Sequence, residues 1–334
     1  MSEELNGLED TLQLLRHGVL GGQERIDTAV ARTESPPGWD HPRFGEGNWA
    51  YAPVDAPQRI GEIAAQWSSR LRGVERPWLC WCVDDDWSLL QQRLVRDVGW
   101  TPVVGGDGTV KTPASIDGAV VIDFAGDLGV VKLRPHFVIE FAFLFCPRLA
   151  YWHSDVLLPM KLMRTLADQF GTLHNGEHCG VTEGPTLGML WERWRKGQPL
   201  LWKRIFEVVG CTTAAASRSQ YASGCGIWRN TRYHPMAGKA TQSKPPYYEF
   251  GVGIYRWVQE NRDKFREVDL EIEPYHFSQI NNSAYGRIVD SRDQRRFKGR
   301  EMQLNFDLRA ICDDLGIGDL YSASAMDGDA DLAT

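Results

Sequence analysis

The sequence predicts an α/β fold with an open, mostly parallel sheet flanked by helices, followed by an irregular α+β C-terminal half. Three observations carry this expectation. Short apolar runs alternate with segments of helical spacing between residues 60 and 170. Gly-rich turns, including Asp107-Gly108, separate them. Acidic residues stand where two of the apolar runs end. Strands alternating with helices are the sequence form of a sheet with crossover helices, and such sheets bind ligands at the carboxyl ends of their strands.

Residues 1–57 read as two short helices, around Glu9–Leu15 and Gly22–Arg32, and an irregular arm rich in Pro, Gly and Trp. Ile60, Ile63, Ala64 and Trp67 recur at helical spacing, so residues 60–70 are expected to be helical. Pro77–Val83 (PWLCWCV) reads as a buried strand that ends in Asp84, Asp85 and Asp86. Trp87–Val98 follows as a helix with Leu90 and Leu94 on its apolar side and Asp86 placed to cap it. Trp100–Val104 and Ala119–Phe124 read as the next strands, and Lys132–Phe145 as a helix. Leu149–Trp152 is a fourth strand, and Val156–Phe170 a strongly amphipathic helix.

Beyond residue 170 the pattern loosens. Gly171–Pro185 reads as irregular, Thr186–Val209 as a helix and Gly251–Arg266 as another. Leu304–Leu315 forms a last strand or helix, and residues 323–334 an acidic, disordered tail. Residues 58–322 make one domain on this reading.

Bulk composition excludes several classes. Of 334 residues, 43% are hydrophobic and 24% charged, which is enough for a core without disulfides or a structural metal. The formal charge of -7 argues against a broad electrostatic grip on nucleic acid. The apolar stretch Phe137–Phe145 is interrupted by Glu140 and falls far short of a membrane span. The N-terminus does not read as a signal peptide. Seven Cys with no CxxC pair fit buried thiols in a reducing cytoplasm. Ten of the thirteen Trp fall into two groups. Trp78, Trp81, Trp87, Trp100 and Trp152 border strands and read as core. Trp191, Trp194, Trp202, Trp228 and Trp257 offer platforms for sugar stacking, Trp228 foremost because it follows the Gly224-Cys225-Gly226 turn.

The sharpest chemical feature is YWHSDVLLP, Tyr151–Pro159. His153 and Asp155 follow a strand and precede a helix, so both can point into one site at the sheet's mouth. Mixed nitrogen and oxygen ligation suits Mn, Fe, Co or Zn better than Ca. His276, in EPYHFS, is the best-placed distant third ligand. The structural alternative packs His153 beside Trp152 and leaves Asp155 to cap the helix.

The order of elements around this motif resembles nucleotide-sugar glycosyltransferases of the GT-A fold. Their Asp-X-Asp motif would here be His153-Ser154-Asp155, with imidazole replacing the first carboxylate. The resemblance implies a GT-A-like catalytic domain and a divalent metal, usually manganese, held by Asp155 with His153 and His276. It implies that Asp84 and Asp85 contact the nucleotide, with Asp84–Asp86 alternatively serving only as a helix cap. Lys132 and Arg134 would bring positive charge to the donor's diphosphate, and Trp228 would shape its pocket. Glu183 would be the base of an inverting reaction, or otherwise a plain surface acid.

Four rivals use the same or neighbouring residues. His153, Asp155 and His276 form the ligand pattern of a non-haem iron dioxygenase, with Arg287 placed to bind 2-oxoglutarate. His174–His178 (HNGEH) matches the H-x-x-E-H pattern of some zinc peptidases, though Asn175-Gly176 reads as a turn. Cys179, Cys211 and Cys225 with either of those His would make a structural zinc site. Finally, exposed Trp and Tyr would serve a non-catalytic carbohydrate- or protein-binding module. The Arg-rich stretch 287–300 reads as a solvated basic face.

Overall fold

The computed structural model describes residues 56–106, 112–128, 133, 135–183, 204–223, 225–227, 252–277 and 308–321. The expectations for residues 1–55, the acidic tail, Lys132, Arg134, Trp191, Trp194, Trp202, Trp228 and Arg287 lie outside these described residues.

Among the described residues, seven strands form one sheet in the order β3-β2-β1-β4-β6-β5-β7. They are β1 (Pro77–Cys82), β2 (Thr101–Gly106), β3 (Val120–Val121), β4 (Arg148–Trp152), β5 (His178–Glu183), β6 (Arg204–Thr213) and β7 (Phe265–Glu267). β1 is parallel to both β2 and β4, β2 to β3, and β5 to β7. β6 is antiparallel to β4 and β5, so it alone runs against the rest. The expected α/β class and mostly parallel sheet are both present.

β1 shows why the class was readable. Every one of its residues is buried, and they alternate between two cores. Leu79 and Trp81 pack on one face with Trp67, Phe124, Phe137 and Trp257. Trp78 and Cys80 pack on the other with Leu90, Leu94, Met163 and Phe170. A strand covered on both faces reads as a continuous apolar run, because neither side needs polar residues. The first face is covered by α1 (Ala56–Arg70), α3 (Phe124–Leu128), α4 (Pro135–Glu140), α6 (Ala214–Ala222) and α7 (Val252–Glu260). The second is covered by α2 (Asp85–Asp97), α5 (Met160–Gly171) and α8 (Leu308–Asp314).

Several boundaries differ from expectation for physical reasons. Helix α2 begins two residues earlier, because Asp84 rather than Asp86 caps it; its Oδ1 accepts from the Trp87 backbone at 3.1 Å. Helix α5 begins at Met160, not Val156. Val156 instead forms a β-bridge with His276, and Pro159 then marks the helix start. The helix expected over 132–145 is the short α4 followed by a 3₁₀ turn, Ala142–Leu144. The third strand shrinks to two residues, with Phe124 opening α3.

The larger corrections lie in the second half. Residues 178–183 are strand β5, not irregular, and Arg204–Val209 belongs to β6, not to a helix. β6 carries Ile205, Val208 and Val209, whose branched side chains suit a pleated surface. Gly210 permits its close pairing: a Cβ there would lie 2.5 Å from the Tyr151 hydroxyl and 2.7 Å from the Cys179 carbonyl. Phe265–Glu267 leaves the expected helix to form edge strand β7.

The seven cysteines form no disulfide with one another, and all are buried. Among the described residues, no helix is long and apolar enough to cross a membrane.

Candidate metal centre

The chain steps from β1 to β2 on one side and later returns to place β4 on the other side of β1. This reversal is a topological switch point, where carboxyl ends of adjacent parallel strands leave a crevice. Asp84, Asp85 and Asp86 sit just beyond β1, and His153, Ser154 and Asp155 just beyond β4. The two clusters singled out in the sequence therefore flank one crevice.

Backbone hydrogen bonds bring His276 to the same place. Phe277 donates to the Asp155 carbonyl at 2.7 Å, and Leu157 donates to the Tyr275 carbonyl at 3.2 Å. These bonds zip residues 275–277 along 155–157 and carry the remote imidazole to the end of β4. On the opposite side, His153 N–H donates to the Val208 carbonyl of β6 at 2.8 Å.

The three side chains converge. His276 Nε2 lies 3.2 Å from Asp155 Oδ1, His153 Nδ1 lies 3.8 Å from the same oxygen, and the two imidazole nitrogens are 3.4 Å apart. A zinc-like ion bound about 2.1 Å from each donor in tetrahedral geometry would hold them roughly 3.4 Å apart. The spacing therefore fits a shared metal ion. Among the described residues this is the one group of three His, Cys, Asp or Glu side chains arranged to hold one. The carboxylate side chain is 2% exposed, whereas His153 and His276 are 19% and 14% exposed. Asp155 thus forms the floor and the imidazoles the rim.

Burial raises the Asp155 pKa, but the neighbouring His276 and His153 imidazoles outweigh it and leave the carboxyl below its ordinary value. The site is built to keep an anion, which is what a cation ligand requires. The donor set of two imidazoles and one carboxylate suits borderline transition metals more than calcium.

The other sequence candidates separate clearly. Asp84 is exposed and caps α2. Asp85 is exposed, and its Oδ1 accepts from the Ala114 backbone at 3.0 Å, pinning the loop after β2. Burial, followed by the charges of Asp84 and Asp85, raises the pKa of Asp86. Glu183 ends β5 in register with Arg204, on the same edge of the sheet but beyond β6 from the triad; its side chain is outside the described residues. Trp257 is fully buried, and its Nε1 donates to Ser219 Oγ at 3.0 Å, so it is no sugar platform.

HNGEH does not form the helical ligand pair of a zinc peptidase. His174 is exposed at a turn in which Gly176 takes a φ of 106°, while His178 is buried in β5. His178 Nδ1 accepts from the Gln220 amide at 3.3 Å, which leaves the ring proton on Nε2, directed at the Tyr151 hydroxyl 3.1 Å away. Burial drives its pKa down to about 3, so the ring is neutral. Cys179, Cys211 and Cys225 join no ligand group among the described residues.

Two neighbours of the centre escaped the sequence reading. His136, buried on α4, sets its ring edge against His153 with centroids 5.8 Å apart. Gln91, buried on α2, donates its amide to backbone beside the triad. The available signal for Gln91 was a polar residue between Leu90 and Leu94 on an apolar helix face. His136 had no such signal beyond its place in an apolar segment.

Comparison of the chain with protein-family models, curated proteins and solved structures finds no match in any of the three.

Proposed function

We propose that this chain is a divalent-metal-dependent glycosyltransferase that moves a sugar from a nucleotide-sugar donor to an acceptor. The observation that carries the reading is the meeting of His153, Asp155 and His276 at the carboxyl end of β4, beside the switch point of an open sheet. A seven-stranded sheet with one reversed strand agrees with a GT-A-like scaffold. A bound divalent ion, manganese on this reading, would supply positive charge opposite a diphosphate leaving group.

The chain's own groups divide the remaining work. Asp155 and the two imidazoles hold the ion. Asp84 and Asp85 stand where the nucleotide would enter, with Lys132, Arg134 and Trp228 assigned to the donor's phosphates and sugar. Glu183, at the same sheet edge, takes the acceptor proton if the reaction inverts. Seven buried thiols with no disulfide among them favour a reducing compartment such as the cytoplasm. The test is release of nucleoside diphosphate from a panel of sugar nucleotides with manganese present. Turnover that stops on Asp155→Ala supports the reading; turnover unchanged by Asp155→Ala sinks it.

The donor set itself favours a second reading. Two His and one carboxylate are the facial triad of non-haem iron oxygenases. The scaffold weighs against it, because the sheet is open and flanked by helices instead of a double-stranded β-helix. Oxygen uptake dependent on ferrous iron and 2-oxoglutarate, without sugar-nucleotide turnover, would select this alternative.

A further inference from the structure

We infer that Gln91 is a positioning residue for the metal centre, acting through the backbone of the turn that carries two of the three ligands. The inference rests on the metal-binding reading of His153, Asp155 and His276. Gln91 lies on α2, the helix launched from the Asp84–Asp86 end of β1, and is fully buried. Its Nε2 donates to the carbonyls of both His153 and Val156, each at 2.8 Å. Val156 N–H closes the same turn onto the His153 carbonyl at 3.3 Å. One amide therefore grips both ends of the four-residue segment that contains His153 and Asp155.

The geometry makes this grip consequential. The turn is tied to β6 through His153 N–H and to residues 275–277 through Asp155 and Leu157. Those bonds set its distance from neighbouring strands. The Gln91 amide instead fixes the turn's curvature, which sets the approach of Nδ1 of His153 to Oδ1 of Asp155. Partners one shell out from a metal orient its ligands, and their loss typically costs about 10- to 100-fold in affinity.

Gln92 provides an internal control. It is equally buried and also makes hydrogen bonds, but to Ser88 on α2 itself and to Ala114 and Ile116 of the loop beyond β2. Its loss should perturb α2 without touching the turn.

The experiment titrates the full chain with Co²⁺, following the visible d–d absorption that reports ligand geometry. Gln91→Met preserves side-chain length and removes both donors. It should bind Co²⁺ about 10- to 100-fold more weakly, with an altered absorption band. Gln92→Met should retain the parent's affinity and band even if its melting temperature falls. Gln91→Met with parent affinity and band overturns the inference, as does an equal loss in Gln92→Met. If Gln91→Met does not fold, Gln91→Leu, which also lacks the amide donors and carries no charge, replaces it with the same expectation and the same overturning result. Failure of the parent chain to bind Co²⁺ overturns the metal reading itself, and this inference with it.

Discussion

His276 Nε2 lies 3.2 Å from Asp155 Oδ1, although one residue ends a parallel strand's loop and the other belongs to a late, irregular segment. Their approach is imposed by main-chain pairing, since Val156 and His276 bridge as antiparallel partners. The Phe277 and Leu157 amides flank that bridge on the Asp155 and Tyr275 carbonyls, so the two main chains run side by side where the side chains meet.

If that meeting point holds a metal, each donor should matter in proportion to its burial. Asp155→Ala removes the anionic floor and should abolish Co²⁺ or Mn²⁺ binding. His276→Ala should weaken it by roughly 100-fold or more, since even the loss of an outer partner costs about 10- to 100-fold. Isothermal titration of the chelator-treated chain measures both. Ion added at about 100 times its dissociation constant should also stabilise the parent by about 2.7 kcal/mol against urea, and Asp155→Ala not at all.

Asp84 has a structural duty that is separable from any nucleotide contact. Asp84→Ala should cost about 1 kcal/mol of stability through loss of the α2 cap, whereas Asp84→Ser should restore most of it. Urea denaturation checks the pair. If Asp84 also contacts a donor, Asp84→Ser will keep the stability and still raise the donor KM.

His178 should make the fold acid-sensitive. Folded, its pKa is depressed by burial to about 3 from an ordinary 6.5; unfolded, it takes a proton at the ordinary value. The unfolded state therefore binds more protons between those limits, and stability falls as pH drops. The full contribution is retained above about pH 6.5, and the loss is about 1.4 kcal/mol per pH unit below it, levelling near pH 3. Urea midpoints at several values between pH 7 and pH 4.5 should show a shallower decline for His178→Gln than for the parent. Parallel declines would show that His178 does not titrate this way.

Trp257 should behave as core. Its ring is buried against the sheet's first face, so Trp257→Ala should destabilise by about 3–5 kcal/mol, read as a lowered denaturation midpoint. Trp257→Phe should recover most of the stability, and neither change should alter donor affinity in folded protein.

The candidate site was legible to different depths. His153 and Asp155 stood out because two potential ligands one residue apart, after an apolar strand, must emerge at a strand end. His276 was nameable as a ligand type, but its placement depends on residues 275–277 pairing with 155–157, a contact with no local signature. Gln91 was harder still, because a glutamine amide is recognisable as a brace only once its two carbonyl partners are adjacent. Strand β5 was missed because it lies in a polar, Gly-containing stretch with no apolar run, and β6 because 204–209 mixes apolar and polar residues at spacings that satisfy a helix as well as a strand. What selects the strand there is the exposed edge of β4, which β6 pairs along its whole length.

The sequence by itself determined the α/β class, the first four strands and the existence of two polar clusters at strand ends. Those features follow from local periodicity, since a strand buried on both faces must be apolar throughout and its flanking helices must be one-sided. Tertiary structure alone decided that β6 runs backwards between β4 and β5, that Trp257 faces inward, and that His276 closes on Asp155. Each of these is a long-range pairing, selected by which hydrogen bonds and apolar faces remain to be satisfied after the local elements have formed.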